Sequence, residues 1–357
     1  MFTHFIVKNF RCFAGLVLND LARVNLIAGK NNTGKTALLE AIHLHCHPAG
    51  CDLAVNINKA RGIANPEQDA EGVVRWLFWQ RQSPELDAQS HDECGIHRTL
   101  TMWLLDPVSA RARFPEAEKA LATSFGMTIG EANQPRIILR YEQQEKVSAT
   151  PQVSIAVAAG GNFYWLPANI PWKVTSVFLT SGVPSTDKDV DYFSALEVGK
   201  RQDEILPALR ILEPRLEKLS LVPLAGQLVI HGDIGLPRLV PLPLMGEGIR
   251  RVLSMVLAIA NAPGGVVLID EVENGLHHSV MVPVWQAIAE AARRADVQVF
   301  ATTHSYECIQ AAQQAFATAQ PYDLRLLRLD RLDSGIRVAT YNQNTLNTSI
   351  EMSLEVR

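Results

Sequence analysis

The segment VNLIAGKNNTGKT, residues 24–36, limits what this chain can fold into more than any other stretch. Val24 to Ala28 is nearly all apolar and reads as a strand buried on both faces. It runs straight into Gly29, Lys30, Asn31, Asn32, Thr33, Gly34, Lys35 and Thr36, and then into ALLEAIHLH, good helix formers with no breaker before Pro48. Gly29, Gly34, Lys35 and Thr36 fill every fixed position of G-x-x-x-x-G-K-[ST]. The glycines let the backbone curl so that successive N–H groups face phosphate oxygens, and the following helix turns its positive end toward the same anion. Lys35 is expected to reach the β- and γ-phosphates and the Thr36 hydroxyl to ligate Mg²⁺, with all eight loop residues lining the nucleotide. A glycine turn without a ligand is the bland alternative, and the flanking strand and helix weigh against it.

Three later segments answer to this loop. In GGVVLIDEVENGLHHS an apolar run ends in Asp270 and Glu271. Ligands in parallel sheets sit outside the carboxyl ends of the strands, so Asp270 is expected to hold the metal and Glu271 to activate water as a general base. In VQVFATTHS a second apolar run ends at Thr302, Thr303 and His304, which places His304 beside the γ-phosphate or the attacking water. In LPLMGEGIRRVLSMVLAIA, a Gly246-Glu247-Gly248 turn opens a long apolar helix and offers backbone N–H groups to an anion. The phosphates of its own loop are already surrounded, so the anion expected there is the γ-phosphate held by a second copy. Its bland reading is an ordinary helix-opening turn with Arg250 and Arg251 solvated.

The rest of the chain fits around these motifs. Short strands around 5–7 and 15–18 precede the loop. Residues 49–219 read as a β-rich insertion with a helix near Glu71 to Gln82, polar turns from Ser83 to Glu93, and strands at His97 to Leu105, Arg136 to Tyr141 and Gln152 to Ala158, followed by a charged helical stretch from Asp189 to Leu219. Short strands are expected at Gln227 to His231 and Arg238 to Pro241. Helices are expected over 248–261 and 279–295, and strands over 266–269 and 297–302. Strands alternating with helices predict an α/β fold with parallel strands. The division is a core of residues 1–48 and 220–357 and an inserted unit of 49–219.

The order GKNNTGKT, GEGIRR, LIDEVENGLHHS, FATTHS resembles the ABC-type ATPases of the RecF, SMC and OLD group, and in particular small bacterial AAA-labelled relatives of the OLD proteins. NFRCF at Asn9 to Phe13 is similar to that group's opening. The resemblance covers residues 1–48 and 240–310. It implies a P-loop NTPase head with a mixed sheet, an N-terminal antiparallel β-subdomain, a β-rich insertion and a short helical arm. It also implies ATP and Mg²⁺ as ligands and a head-to-head homodimer, with Lys35, Glu271 and His304 as catalytic residues and Thr36 and Asp270 on the metal. Gly246, Glu247 and Gly248 match the signature loop that caps the partner's ATP, although Met245 stands where the family usually has Ser. Glu273, Asn274 and Gly275, with His277 and His278 as neighbours, match the D-loop. Arg11 is placed near the nucleotide, and Gln80 or Gln82 is the candidate Q-loop residue. The tail from Asp323 to Val338 reads as closing strands with no Toprim nuclease module, so the resemblance points to a separately encoded nuclease or other effector in DNA maintenance or phage defence. A nucleotide-gated scaffold with little turnover and a RecF-like DNA-repair factor are the rivals.

Composition bears on those rivals. A formal net charge of -4 gives no bulk electrostatic case for DNA binding. Five cysteines at irregular spacing fit reduced thiols, and no apolar run is long enough for a membrane span or reads as a leader, so a cytoplasmic protein is expected. His43, Cys46 and His47 have helical spacing for a metal, but their helix lies directly behind the phosphate loop and is assigned to packing. The scattered tryptophans, Trp76, Trp79, Trp103 and Trp165 among them, are likewise assigned to the core rather than to base stacking. Arg325, Arg328 and Arg331 receive no role.

Overall fold

A computed structural model of the protein describes residues 1–47, 53–54, 57–58, 61–63, 70–81, 85–115, 119, 136–144, 152–159, 162–166, 174–182, 186–333 and 335–357. The strands that hold the phosphate loop are β3 (Val24–Ala28), β9 (Ser176–Leu179), β13 (Val266–Ile269), β14 (Gln298–Thr302), β15 (Leu324–Leu332) and β16 (Gly335–Tyr341). They form one sheet in the order β16-β15-β3-β14-β13-β9, parallel throughout except for the β15-β16 hairpin. Every residue of β3, β13 and β14 is buried. That burial is why these strands read as unbroken apolar runs in the sequence.

A second sheet is antiparallel, with the order β2-β1-β4-β5-β6-β7-β8. It contains β1 (Phe2–Phe10), β2 (Phe13–Leu18), β4 (Glu85–Asp92), β5 (His97–Leu105), β6 (Arg136–Gln144), β7 (Gln152–Ala159) and β8 (Asn162–Leu166), with the short helix α3 (Pro107–Arg113) following β5. The expected boundary at residues 49–219 does not follow the sheets. β4 pairs directly with β1, so the inserted strands continue the N-terminal sheet, while β9 joins the parallel sheet beside β13. Polar turns were expected around Ser83 to Glu93, where the chain instead forms β4. Its sequence ELDAQSHD looks polar, but Leu86, Ala88 and Ser90 alternate onto the buried face. The helix expected over 71–82 stops early: α2 (Ala70–Arg75) gives way to Leu77 and Phe78, which turn inward, and Phe78 bridges to Phe10. A small three-stranded sheet follows, made of β10 (Lys218–Leu224), β11 (Gln227–Asp233) and β12 (Val240–Pro241).

α1 (Lys35–Cys46) lies between the two large sheets. It buries Leu38, Leu39, Ala41, Ile42 and Leu44 with Glu40 and His45, so it has almost no solvent side. A helix buried all round carries no amphipathic stripe, and this one was recognisable by its composition and its position after the loop. The opposite face of the parallel sheet is covered by α4 (Thr186–Val198), α5 (Leu206–Arg210), α6 (Glu247–Ala260), α7 (Met281–Arg294) and α8 (Tyr306–Phe316). The strands alternate between the two cores: Val267, Ile269, Val299 and Ala301 face these helices, whereas Val266, Leu268 and Phe300 face α1. The charged stretch from Asp189 onward resolves into α4, whose Phe193 and Leu196 are fully packed, then α5, before becoming β10 at Lys218. After β16 the chain ends in α9 (Gln343–Glu351), which the sequence reading did not anticipate; it starts at an Asn342–Thr345 capping box.

Candidate active site

The phosphate loop connects β3 to α1 and is held by close contacts. Gly29 has φ 147, and a Cβ there would stand 2.7 Å from the Leu329 carbonyl oxygen and 2.8 Å from Thr33 Oγ1. Gly34 has φ 93, and a Cβ would stand 2.7 Å from Cys12 Sγ and 2.9 Å from Phe13 Cζ. The β1-β2 turn is thus pressed against the loop, so neither position admits a side chain. Thr33 Oγ1 donates to the Lys30 carbonyl at 2.8 Å, and Lys35 Nζ donates to the carbonyls of Gly29 at 2.7 Å and Lys30 at 3.1 Å. Burial pushes the Lys35 ammonium below its usual pKa, opposed by the charges of Asp270, Glu271 and Glu273.

Asp270 follows β13 and is 6% exposed. Its carboxylate accepts from Thr36 Oγ1 at 3.0 and 3.2 Å and from Thr302 Oγ1 at 2.6 Å. The two ends of the motif, 234 residues apart in sequence, therefore meet directly. Glu271 has φ 48, a left-handed conformation that costs a non-glycine residue on the order of 1 kcal/mol and is held by its surroundings. Its N–H donates to Thr302 Oγ1 at 2.8 Å, and its Oε2 accepts from Asn274 Nδ2 at 2.7 Å. Behind this turn, Arg251 is 3% exposed and donates to the carbonyls of Thr180 at 2.8 Å, Asp270 at 2.5 Å and Glu271 at 3.2 Å. The solvated-arginine reading fails for Arg251 because helix α6 lies against β13 and β9, which turns that side chain into the backbone of the acidic turn.

These groups open into one cavity of about 690 Å³, lined by loop residues 31–36, Asp270, Glu271, Arg11, Cys12, Arg61 and Arg331. Arg11 sits at φ 49 in the β1-β2 turn. Its Nε lies 2.6 Å from Glu40 Oε2, and Arg61 Nε lies 2.7 Å from Glu40 Oε1. Glu40, on α1, thus holds two guanidinium groups at the cavity rim. Burial lowers the Arg11 pKa, while the hydrogen bond to Glu40 raises that of Arg61. Arg331 donates to the Asn32 carbonyl at 3.3 Å from the tip of β15.

Not every expected residue lines this cavity. His304 follows β14, but its ring is half exposed and lies 3.3 Å from Glu273, whose Oε1 also accepts from the His304 N–H at 3.0 Å and from Thr303 Oγ1 at 2.8 Å. Gly246, Glu247 and Gly248 open α6 and do not line the phosphate cavity; Glu247 and Gly248 pack on the 273–276 turn, where a Cβ on Gly248 would stand 3.0 Å from the Gly275 carbonyl oxygen, while Gly246 faces open space. Gln80 is described and lies outside the phosphate cavity, and Gln82 is outside the described residues. His43 and His47 both reach Ser176 Oγ, at 2.7 and 3.1 Å, tying α1 to β9. The sequence reading missed Thr302, Glu40, Arg61, Arg251 and Arg331 as site residues. Only Thr302 carried a signal, as the last residue of an apolar strand.

The geometry agrees with what known proteins resemble this chain. A family model described as "AAA domain, putative AbiEii toxin, Type IV TA system" matches residues 167–309, and one described as "AAA domain" matches residues 5–48. An ATP/GTP phosphatase of Helicobacter pylori is 23% identical over 97% of this chain and 96% of its own length. The SmcHead bound to the C-winged helix domain of ScpA superposes with a TM-score of 0.50 at 11% identity, covering 98% of this chain and 99% of that one. The fold is SMC head-like. A second SMC head, from Pyrococcus furiosus and bound to the C-terminal domain of ScpA, has a TM-score of 0.49 at 11% identity over 99% of both chains. The SMC-like head, the AAA domain matches and the phosphatase relative together support a P-loop ATPase, and they do not single out the OLD-like subgroup. Among the described residues, no helix of the head is long and apolar enough to cross a membrane.

Proposed function

We propose that the protein binds ATP with Mg²⁺ and hydrolyses it to ADP and phosphate. The observation that carries this reading is the meeting of Lys35, Thr36, Asp270 and Glu271 in one cavity. The donor set suits Mg²⁺, since the Thr36 hydroxyl and the Asp270 carboxylate are hard oxygen donors that already touch, and such ions take one or two protein oxygens and fill the rest with phosphate and water. When bound, the ion neutralises charge on the β- and γ-phosphates.

The chain's own groups account for the rest. Loop N–H groups and the start of α1 bind the phosphates, and Lys35 leaves the carbonyls of Gly29 and Lys30 for the γ-phosphate. Glu271 accepts the proton of the attacking water, and Asn274 and Thr302 hold its carboxylate and backbone toward that task. His304 is coupled to the same turn through Glu273 and reports on it. Two copies meet head to head, with Gly246, Glu247 and Gly248 of one facing the nucleotide of the other, and the cycle gates a partner such as a separately encoded effector.

Steady-state phosphate release with Mg–ATP tests this reading. Glu271→Gln is expected to keep nucleotide binding and to slow turnover by about 10² to 10⁴-fold. Unchanged turnover in that variant would remove the general-base role. A second reading is a nucleotide-gated scaffold with little turnover, favoured by the engagement of Glu271 Oε2 with Asn274 and by Met245 in place of a signature serine. Negligible phosphate release beside ATP-dependent dimerisation would select it.

A further inference from the structure

Strand β15 flanks β3 on the side away from β14. It pairs in parallel with β3 as far as Arg328 and Ala28, so its last residues run beside the phosphate loop itself. Side chains on a strand alternate between faces, and Leu327 and Leu329 pack in one core with the α1 residues Leu38 and Ile42. Two residues further on, the same alternation brings Arg331 to the loop. The close approach already shows at Gly29, where a Cβ would stand 2.7 Å from the Leu329 carbonyl oxygen. Arg331 is exposed, lines the phosphate cavity and donates to the Asn32 carbonyl at 3.3 Å, a long bond for an N–H donor. The other two arginines of that cavity are engaged, since Arg11 and Arg61 share the buried Glu40. Among the described residues Arg331 forms no ion pair, whereas Arg328 and Arg337 on the same hairpin share Asp330.

We propose that Arg331 is a phosphate-binding residue, which exchanges the Asn32 carbonyl for the phosphates that ATP and ADP share rather than for the γ-phosphate. The inference deepens the nucleotide reading and rests on it. A guanidinium held by one neutral carbonyl gains by moving to phosphate, because its planar fork matches two oxygens at once and charge-assisted hydrogen bonds are the stronger kind. Lys35 is held in the same way, on the carbonyls of Gly29 and Lys30, so the loop keeps two cations on its own backbone. Position selects which phosphates Arg331 meets. It lines both the phosphate cavity and an adjoining cavity of about 610 Å³, whereas Asp270 and Glu271 line only the first. Arg331 thus stands on the rim away from the acid pair that the metal and the γ-phosphate require. The contact gives the β15-β16 hairpin, which carries none of the sequence motifs, a direct hold on the nucleotide.

Calorimetric titration of the full chain with Mg–ATP and with Mg–ADP tests the contact. Arg331→Ala, at an exposed position, is expected to bind both nucleotides about tenfold more weakly, with the melting temperature of the nucleotide-free chain unchanged. Arg331→Lys is expected to recover part of the lost affinity. Arg337→Ala removes an equal charge from the same hairpin outside the cavity and is expected to leave binding as it was. Unchanged affinity in Arg331→Ala, a loss confined to ATP, or an equal loss in Arg337→Ala would overturn the contact while leaving the phosphate loop in place. A lowered melting temperature in nucleotide-free Arg331→Ala would also overturn it, by marking the arginine as a clamp on Asn32. If the unaltered chain bound neither nucleotide, the nucleotide reading itself would fall and the role of Arg331 with it.

Discussion

The two large sheets are built from different patterns, unbroken apolar runs in one and alternating residues in the other, and carry different duties. The parallel sheet is buried on both faces, and its strands deliver backbone and side chains to one point: β3 leads into the phosphate loop, β13 into Asp270 and β14 through Thr302. The antiparallel sheet has one packed face, seen in the alternating burial of β1 and β4, and among the described residues it reaches the site through the turn that carries Arg11 and Cys12. A parallel sheet gathers the ends of several strands on one edge, so residues far apart in sequence meet there. An antiparallel meander returns each strand to its neighbour and presents turns instead. Chemistry belongs to the first and support to the second.

Substitutions can break that contrast. Lys35→Ala, at the parallel edge, is expected to weaken Mg–ATP binding by at least about a hundredfold with little change in melting temperature, since the lysine donates only to loop carbonyls. Retained tight binding by calorimetry would detach the loop from the nucleotide. Arg251→Leu leaves the carbonyls of Thr180 and Asp270 without the guanidinium, while Glu271 keeps only the Asn274 N–H, and is expected to cost about 3 kcal/mol in urea unfolding and to depress turnover as well. A stability loss with normal turnover would show that the acidic turn keeps its shape without the arginine.

Acid probes the support side, because burial holds both His43 and His45 down to about 3. Unfolded, each takes up a proton near 6.5, so their contribution to stability is fully present above that pH and is lost as pH falls toward 3. Asp189 opposes them: burial pushes it up to about 6 from 3.8, so its contribution is present below 3.8 and is lost as pH rises through that window. Two histidines outweigh one aspartate, and the net loss between pH 6.5 and 4.5 is expected to be on the order of 2 kcal/mol. A melting temperature that stays flat over this range would contradict the buried neutral imidazoles. The smallest effect belongs to Ser90→Ala on β4, which removes the 2.8 Å partner of His45 and is expected to cost about 1 kcal/mol with turnover untouched. Altered turnover there would mean that the antiparallel sheet shapes the site after all.

The same contrast explains what could be read from the sequence. Strand β3, the phosphate loop and the acid pair were legible because each is local: an apolar run followed within a few residues by the group it delivers. Thr36 and Asp270 were expected to share one metal, whereas the bond from Thr302 to Asp270 shows only once the strand ends lie side by side. Arg251 and Arg61 were not legible, because their partners lie up to 71 residues away and a lone arginine on a helix or in a loop looks solvated until the packing is known. β4 was hidden by its polar letters, and its pairing with β1 leaves no mark in either strand. Trp76 was assigned to the core by residue type, which cannot separate a packed indole from one that is 53% exposed.

The position of α1 has a mechanical consequence. Gripped by sheets on both sides and bonded at its far end through His43 and His47 to Ser176, the helix works as an axle fixed in two bearings. Its leading end is the phosphate loop, so a tilt of one sheet against the other would bear on that loop. A protein that pulled on the outer strands would be turning the lock that holds the phosphates.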